Sequence, residues 1–409
     1  MNLNHYTMEE ALEYLIDYRG KTPKKSEEGI PTLSAKSVKN GYIDYSECYY
    51  ISPEEYKRFM IRGFPKVGDV LMTTEAPMGM VAHLDRDDVG VAQRLITLRG
   101  KEGILDNDYL LYYLQSPLGQ HKLKERESGS TVTGIKQAEF RKIEIDIPDI
   151  DIQKKIASCL ICIDKKIGAN KKINRNLSEQ AQAVFKEWFV DNPESVKWKQ
   201  GTFSDLVIST LGGDWGKEEE TGNYTEQVYC VRGADIPEVK EGNKGKMPTR
   251  FILPKNYAAK QLVAGDIVVE ISGGSPTQST GRVASISQSL LDRYDKGMVC
   301  TNFCRAIKPK DGYSMFIYYY WQYLYERGIF FLYENGTTGI KNLDIKGFLE
   351  NEEIIIPPKD LVDRFDELCQ SIFNEIFKNG IITEKLAETR DTLLPRLMSG
   401  ELDVSELEL

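Results

Sequence analysis

An α/β (α+β) fold of two similar globular domains, each followed by a long helix, is what this 409-residue sequence predicts. Three observations predict it. One set of segments recurs in the same order in both halves. A 3.5-residue apolar period runs for some forty residues after each set. The two periodic stretches also carry charge of opposite sign, so they are expected to pair as an antiparallel coiled coil.

The repeat is marked by Thr-Gly-Ile-Lys, in "STVTGIKQAEF" (Ser130 to Phe140) and "NGTTGIKNLDI" (Asn335 to Ile345). Upstream lie "FPKVGDVLMTTEAPMGMVAHLD" (Phe64 to Asp85) and "LVAGDIVVEISGGSPTQSTGRVASIS" (Leu262 to Ser287). Each reads as a Gly-Asp turn, a β-rich run, a Gly/Pro/Ser/Thr loop and a second strand. A further β-like run follows, "VGVAQRLITLRG" or "GMVCTNFCRAIKPK", and then an aromatic helix, "DYLLYYLQSPLGQHKL" or "MFIYYYWQYLYERGIFFL". After Thr-Gly-Ile-Lys each half ends in an apolar strand and proline, "KIEIDIPD" or "NEEIIIPPKD".

Beyond each proline the period changes. Ile156, Leu160, Ile163, Ile167, Asn170, Asn174, Leu177, Ala181, Val184 and Trp188 alternate in steps of four and three, a heptad seam. The second seam is Phe365, Cys369, Ile372, Ile376, Asn379, Thr383, Leu386, Arg390, Leu393 and Leu397, with its polar pair at the same place. Antiparallel pairing would bring Asn170 and Asn174 near Asn379 and Thr383, a polar layer that fixes register. Residues 150–190 hold eight Lys/Arg and four Asp/Glu, whereas residues 356–409 hold six and twelve. Gly380 falls inside the second helix, at a cost of about 1 kcal/mol in helix propensity. Phe185, Phe189 and Phe373 lie off the main stripe and are expected to dock partners. The domain boundaries read from these features are 1–148, a helix over 149–190, 195–357, a second helix over 358–400 and a tail over 401–409.

Composition narrows the function. Apolar residues make up 41% and charged residues 28%, ordinary for a globular protein, and no run is long enough to span a membrane. The first fifteen residues place acids early and lack an apolar core, so no signal peptide is expected. Seven irregularly spaced cysteines suit a reducing, cytoplasmic setting. The three histidines, His5, His83 and His121, form no metal motif, and no phosphate loop, nucleophile elbow or dinucleotide fingerprint is present. The pairs Cys159/Cys162 and Cys300/Cys304 read as small buried apolar residues. No catalytic residue, metal site or bound cofactor is expected in this chain.

The loops carry the binding candidates. "EISGGSPTQSTGR" (Glu270 to Arg282) sets Ser275, Thr277, Gln278, Thr280 and Arg282 on a glycine-rich turn. Gln and Arg can each bond a base edge bidentately, while Ser and Thr suit phosphates or bases. Trp215 and Lys217 lie on a second glycine loop, and Arg19, Lys21, Lys24 and Lys25 cluster near the N-terminus. Lys136 and Lys341, the two Thr-Gly-Ile-Lys lysines, recur at one place in both copies. A net charge of −9 argues against a general polyanion binder, so any grip on DNA must be local or shared with a partner.

Two similar domains with long helices, polar loops and no catalytic set resemble the specificity subunit of type I restriction–modification enzymes. The strings that carry the likeness are "TLLPRLMSGELDV" (Thr392 to Val404), "GDVLMTTEAPMG", "GDIVVEISGGSPTQSTGR" and "VRGADI" (Val231 to Ile236). Thr73 and Thr74, which open the loop "TTEAPMG", are DNA-contact candidates from the loop itself, and the likeness adds Arg232. It implies that each domain is a target-recognition domain reading half of a bipartite, asymmetric site on double-stranded DNA. It also implies two methyltransferase subunits that supply S-adenosylmethionine chemistry, and restriction–translocase subunits that use ATP and Mg²⁺. The first helix ends in "AVFKEWFVDN" rather than a second copy of the C-terminal string, so docking residues carry over to it only weakly. About 37 helical residues span roughly 55 Å, on the order of 16 base pairs at most. Unlike half-sites about one helical turn apart are therefore expected. A free-standing DNA-binding regulator and a self-contained DNA-modifying enzyme are the competing readings.

Overall fold

The structure, a computed structural model, describes residues 3–18, 22–129, 133–275, 277–336 and 340–407. It divides into two compact units, Met1–Lys166 with Leu386–Leu409, and Ile167–Lys385.

In the first unit a four-stranded antiparallel sheet runs in the order Leu12–Asp17, Leu95–Gly100, Val70–Thr73, Val81–His83. Val70 to Thr73 are buried at every position, as suits a central strand covered on both faces. A smaller sheet places Ile30–Leu33 between antiparallel Tyr49–Ile51 and parallel Gly90–Val91. The strand Asn4–Thr7 closes on Glu144–Ile147.

The second unit repeats this topology. Its sheet order is Val207–Gly212, Cys304–Pro309, Ile267–Glu270, Val283–Ser285. Glu226–Val231 lies between antiparallel Thr249–Ile252 and parallel Met298–Cys300, and Lys199–Thr202 pairs with Glu353–Ile356. The Gly-Asp turns have one purpose in both units. Asp69 is buried, accepts the Lys66 amide at 2.8 Å and pairs with Arg99 at 2.7 Å. Asp266 is buried, accepts the Val263 amide at 2.8 Å and pairs with Lys308 on the neighbouring strand. Such a carboxylate ties turn to strand, and removing its partner would leave a charge buried alone.

Both aromatic helices are shorter than the sequence suggests. The first is two helices, Asn107–Gln115 and Pro117–Glu125. Pro117 pushes Ser116 into extended geometry, and the Ser116 hydroxyl caps the second helix by accepting the Gly119 amide at 3.1 Å. The other ends at Glu326, and Gly328, with φ of 73°, turns the chain into a 3₁₀ segment, Ile329–Tyr333.

The long helices are Ile150–Phe185, prolonged by a π turn over Lys186–Val190, and Lys359–Met398. Each unit contains a stretch of both, running antiparallel. In the first unit Arg390 pairs with Asp164 at 2.8 Å. In the second, Asn170 donates to Thr383 Oγ1 at 3.3 Å and Asn379 donates to Asn174 Oδ1 at 2.9 Å. Every heptad residue named above is buried or half-buried. Ile156, Leu160 and Leu397 enter the first unit's core, while Val184, Phe365, Ile372 and Ile376 lie in or against the second unit's helix and core packing. Each helix end thus belongs to a domain core, and the two units divide within the helices.

Three other expectations are corrected. Phe185, Phe189 and Phe373 are buried, with Phe185, Phe189 and Phe316 ring centroids 5.0–5.9 Å apart, so they offer no docking surface. The charge asymmetry does not make the helix pair: Arg390–Asp164 has the opposite sense, and Glu384, Asp363 and Glu375 bind Arg293, Lys359 and Lys378. Among the cysteines, Cys300 and Cys304 are buried, but Cys162 is exposed and Cys159 half-buried, because their positions flank the seam. No helix among the described residues is long and apolar enough to cross a membrane.

Asn174 ties the seam to a domain turn, since its Nδ2 also donates to Glu241 O and Ile376 O, each at 2.9 Å. Replacing it with Ala leaves the Asn379 amide unpaired in a buried layer, an expected loss of about 1–3 kcal/mol. Urea unfolding of Asn174→Ala should show a lower midpoint; a midpoint equal to wild type would contradict this account.

Candidate nucleic-acid interface

In the second unit, the glycine loop and the second Thr-Gly-Ile-Lys segment converge. Past the strand Ile267–Glu270, Ser272–Gly273 pairs with Lys341–Leu343, which pairs in turn with Glu334–Asn335. Thr338 and Gly339 lie outside the described residues. Two buried carboxylates organise this corner. Arg282 grips Glu270 bidentately at 2.7 and 2.6 Å. Glu334 accepts the Thr280 amide at 2.6 Å, the Thr280 hydroxyl at 3.0 Å and Lys341 Nζ at 2.7 Å. A Cβ on Gly233 would lie 2.4 Å from Glu270, so only glycine lets the "VRGADI" turn close on that carboxylate.

This geometry reassigns several candidates. Thr280 is fully buried, and its hydroxyl is committed to Glu334. Arg282 and Lys341 answer those internal carboxylates, and Lys341 also lies over the Phe331 ring at 4.9 Å. Arg232 binds Asp235 at 2.9 and 3.0 Å and the Lys246 carbonyl at 2.7 Å, which closes a turn. These residues build the loop frame rather than reach outward from it. What the frame presents is Thr277 and Gln278, both exposed. The half-buried Ser275 accepts the Gln278 amide at 3.0 Å, and this local turn holds the tip.

A second loop packs beside the strand Thr249–Ile252. The Arg250 guanidinium stacks 3.8 Å from the Trp215 ring centroid and pairs with Glu218 at 2.9 Å. Reciprocal backbone bonds between Lys217 and Phe251, both 2.9 Å, leave the Lys217 side chain exposed over Tyr224.

The first unit uses the same arrangement with different side chains. Gly134 bridges to Glu75 and Ser128, and the Ile135 amide donates to Thr74 O at 2.9 Å, so this Thr-Gly-Ile-Lys segment also joins the loop after the central strand. Lys136 is exposed at the start of the helix Gln137–Arg141. Lys24 and Lys25 are exposed, Lys25 over the Tyr49 ring at 4.7 Å. Arg19 and Lys21 lie outside the described residues. Thr73 and Thr74 are corrected: both are buried, the Thr73 hydroxyl donating to Pro77 O at 2.5 Å and accepting the Met80 amide at 2.9 Å. They end the central strand, where both faces are covered.

Sequence reading missed Glu270 and Glu334, which orient everything around them, and the exposed Arg94–Glu75 pair at 2.8 Å. A polar Gln-Arg step between the apolar runs "VGVA" and "LITL" was the available signal for Arg94. The exposed apolar residues Phe303, Leu332 and Ile340 near the glycine loop gave no signal beyond composition. No group of three or more His, Cys, Asp or Glu among the described residues could hold a metal ion.

Residues 12–179 match the family model described as type I restriction modification DNA specificity domain. Over 399 residues the chain is 28% identical to the MjaIX type I restriction enzyme specificity subunit of Methanocaldococcus jannaschii, covering 92% of this chain and 88% of the relative. Over most of its length this chain is similar to type I restriction enzyme specificity subunits. The HindI specificity subunit of Haemophilus influenzae is 24% identical over 410 residues, covering 82% of this chain and 87% of the relative. The crystal structure of the S subunit from M. genitalium shares the fold, with a TM-score of 0.57 at 15% identity over 97% of this chain and 96% of that one. In this chain the repeated sheet topology and the paired loops make the two units copies of one frame.

The frame of the second unit is testable through Glu334. Burial raises its carboxyl, but the bonds from Lys341 and Thr280 outweigh that and hold it below the ordinary value of 4.5. A depressed carboxyl stabilises the fold fully above the ordinary glutamate range, and this contribution is lost as pH falls through and below that range. Glu334→Gln should cost about 1.5–3 kcal/mol near neutral pH and flatten the acid limb of the stability profile. Faster amide exchange at Thr280 should accompany it; unchanged exchange there would refute the assigned role.

Proposed function

We propose that this protein is the non-catalytic DNA-specificity subunit of a type I restriction–modification complex, reading a bipartite, asymmetric site with a fixed gap. The observation that carries this reading is one frame used twice with unlike exposed side chains. At the corresponding corners, the first unit offers Lys136 near Glu75 and Arg94, and the second offers Thr277 and Gln278 beside a framework built on Glu270 and Glu334. A shared strand order with different donors and acceptors suits two domains that read different words.

The family assembles within type I restriction–modification complexes. In our reading the partners here are two methyltransferase subunits, which use S-adenosylmethionine, and restriction–translocase subunits, which use ATP and Mg²⁺. They act in the cytoplasm on double-stranded DNA. The net charge of −9 fits a division of labour in which this chain contributes base contacts and its partners much of the phosphate grip.

Mapping N6-methyladenine across the host genome with and without this gene tests the proposal. Loss of one gapped bipartite motif on deletion is the expected result. An unchanged methylome, with the neighbouring methyltransferase expressed, would favour a free-standing DNA-binding regulator. Turnover by the purified chain alone would reveal a self-contained enzyme.

At finer grain, Gln278→Ala should leave stability unchanged within about 0.5 kcal/mol and lower discrimination at one base pair of a single half-site by about 1–3 kcal/mol. Methylation rates on a set of single-base variants of the site would show this. A uniform fall across all variants would place Gln278 outside base readout.

A further inference from the structure

In the second unit the turn Glu241–Lys244 is locked onto the long helices. Gly242, with φ of 81°, meets Gly380 backbone to backbone: a Cβ on Gly380 would lie 2.0 Å from Gly242 O, and one on Gly242 would lie 2.4 Å from Ile376 O. Four polar contacts reinforce the approach. Arg293 donates to Gly242 O at 2.9 Å and pairs with Glu384, which also accepts the Lys244 amide at 2.7 Å. Asn174 on the other helix donates to Glu241 O at 2.9 Å. The glycine inside the second helix, costly for the helix itself, is what the contact requires.

The first unit lacks this device. Its equivalent segment, Val38 to Gly41, lies between the same pair of strands, and a Cβ on Gly41 would meet only the Gln115 side chain, at 3.5 Å.

We propose that the Gly242–Gly380 contact, secured by Arg293 and Glu384, is a positioning latch. It sets the angle at which the second reading domain stands on the helix pair, and through that angle the half-site spacing that the protein accepts. This inference rests on the bipartite reading above. The latch residues touch no base; they act through the domain they hold.

The test uses the full chain assembled with its methyltransferase partner, on DNA carrying both half-sites at the native spacing and at one base pair more or less. Gly380→Ala is expected to reduce the preference for native spacing at least fivefold. Gly168→Ala, a helical glycine with nothing within 4 Å of its Cβ position, should keep the wild-type ratio. Glu384→Gln preserves size while weakening the Arg293 bond. It should shift the ratio in the same direction, and it provides the test if Gly380→Ala fails to fold. A proportional fall at all spacings, with the ratio unchanged in a folded variant, would overturn the latch. A wild-type complex that methylates no gapped site would instead defeat the underlying functional reading, and the latch with it.

Discussion

Each long helix carries an apolar stripe that needs cover along its length, and that constraint shapes the rest of the molecule. A two-in-seven seam supports a helix only if something covers it. Here the cover comes from two sources within each unit: an antiparallel stretch of the other helix, and the domain core itself. Phe365 illustrates this, lying on the second seam while contacting Phe185, Phe189 and Tyr319 at centroid distances of 5.1–5.9 Å. Helix and domain consequently fold as one body in each unit, and the seam's polar residues must find partners inside it. Asn174 does so with both helices and a domain turn at once.

A second constraint is that buried carboxylates need donors. Asp69 and Asp266 satisfy it in the sheets, and Glu270 and Glu334 satisfy it beneath the candidate interface. The consequence for function is indirect but strong. Basic residues that look free in sequence are committed to internal acids, so the loops keep a defined shape and offer only a few uncommitted groups. This suits recognition by shape and hydrogen bonding more than by bulk charge, in keeping with an acidic chain.

The repeat, the heptad seams and the polar register pair were legible because they follow from periodicity and order, which local sequence carries. Asn170 opposite Thr383 and Asn174 opposite Asn379 is a consequence of counting in sevens along two antiparallel stripes. The site was less legible. Thr73, Thr74 and Thr280 have the composition of surface loops yet are buried, the first two at the covered end of a central strand and the third against Glu334. Arg282 and Lys341 have the chemistry of DNA contacts, but each meets a glutamate from a distant segment.

What the sequence by itself determined is the plan: two copies of one domain, each followed by a long helix. Apolar period and segment order encode these locally, so no distant contact is needed to infer them. What only the tertiary structure decided is which polar side chains remain available, and where a domain turn meets a helix. Both depend on partners far apart in the chain: Glu334 with Thr280, Glu270 with Gly233, Gly242 with Gly380. Pairing of that kind follows from how the backbone folds back on itself, and no local pattern of residues announces it.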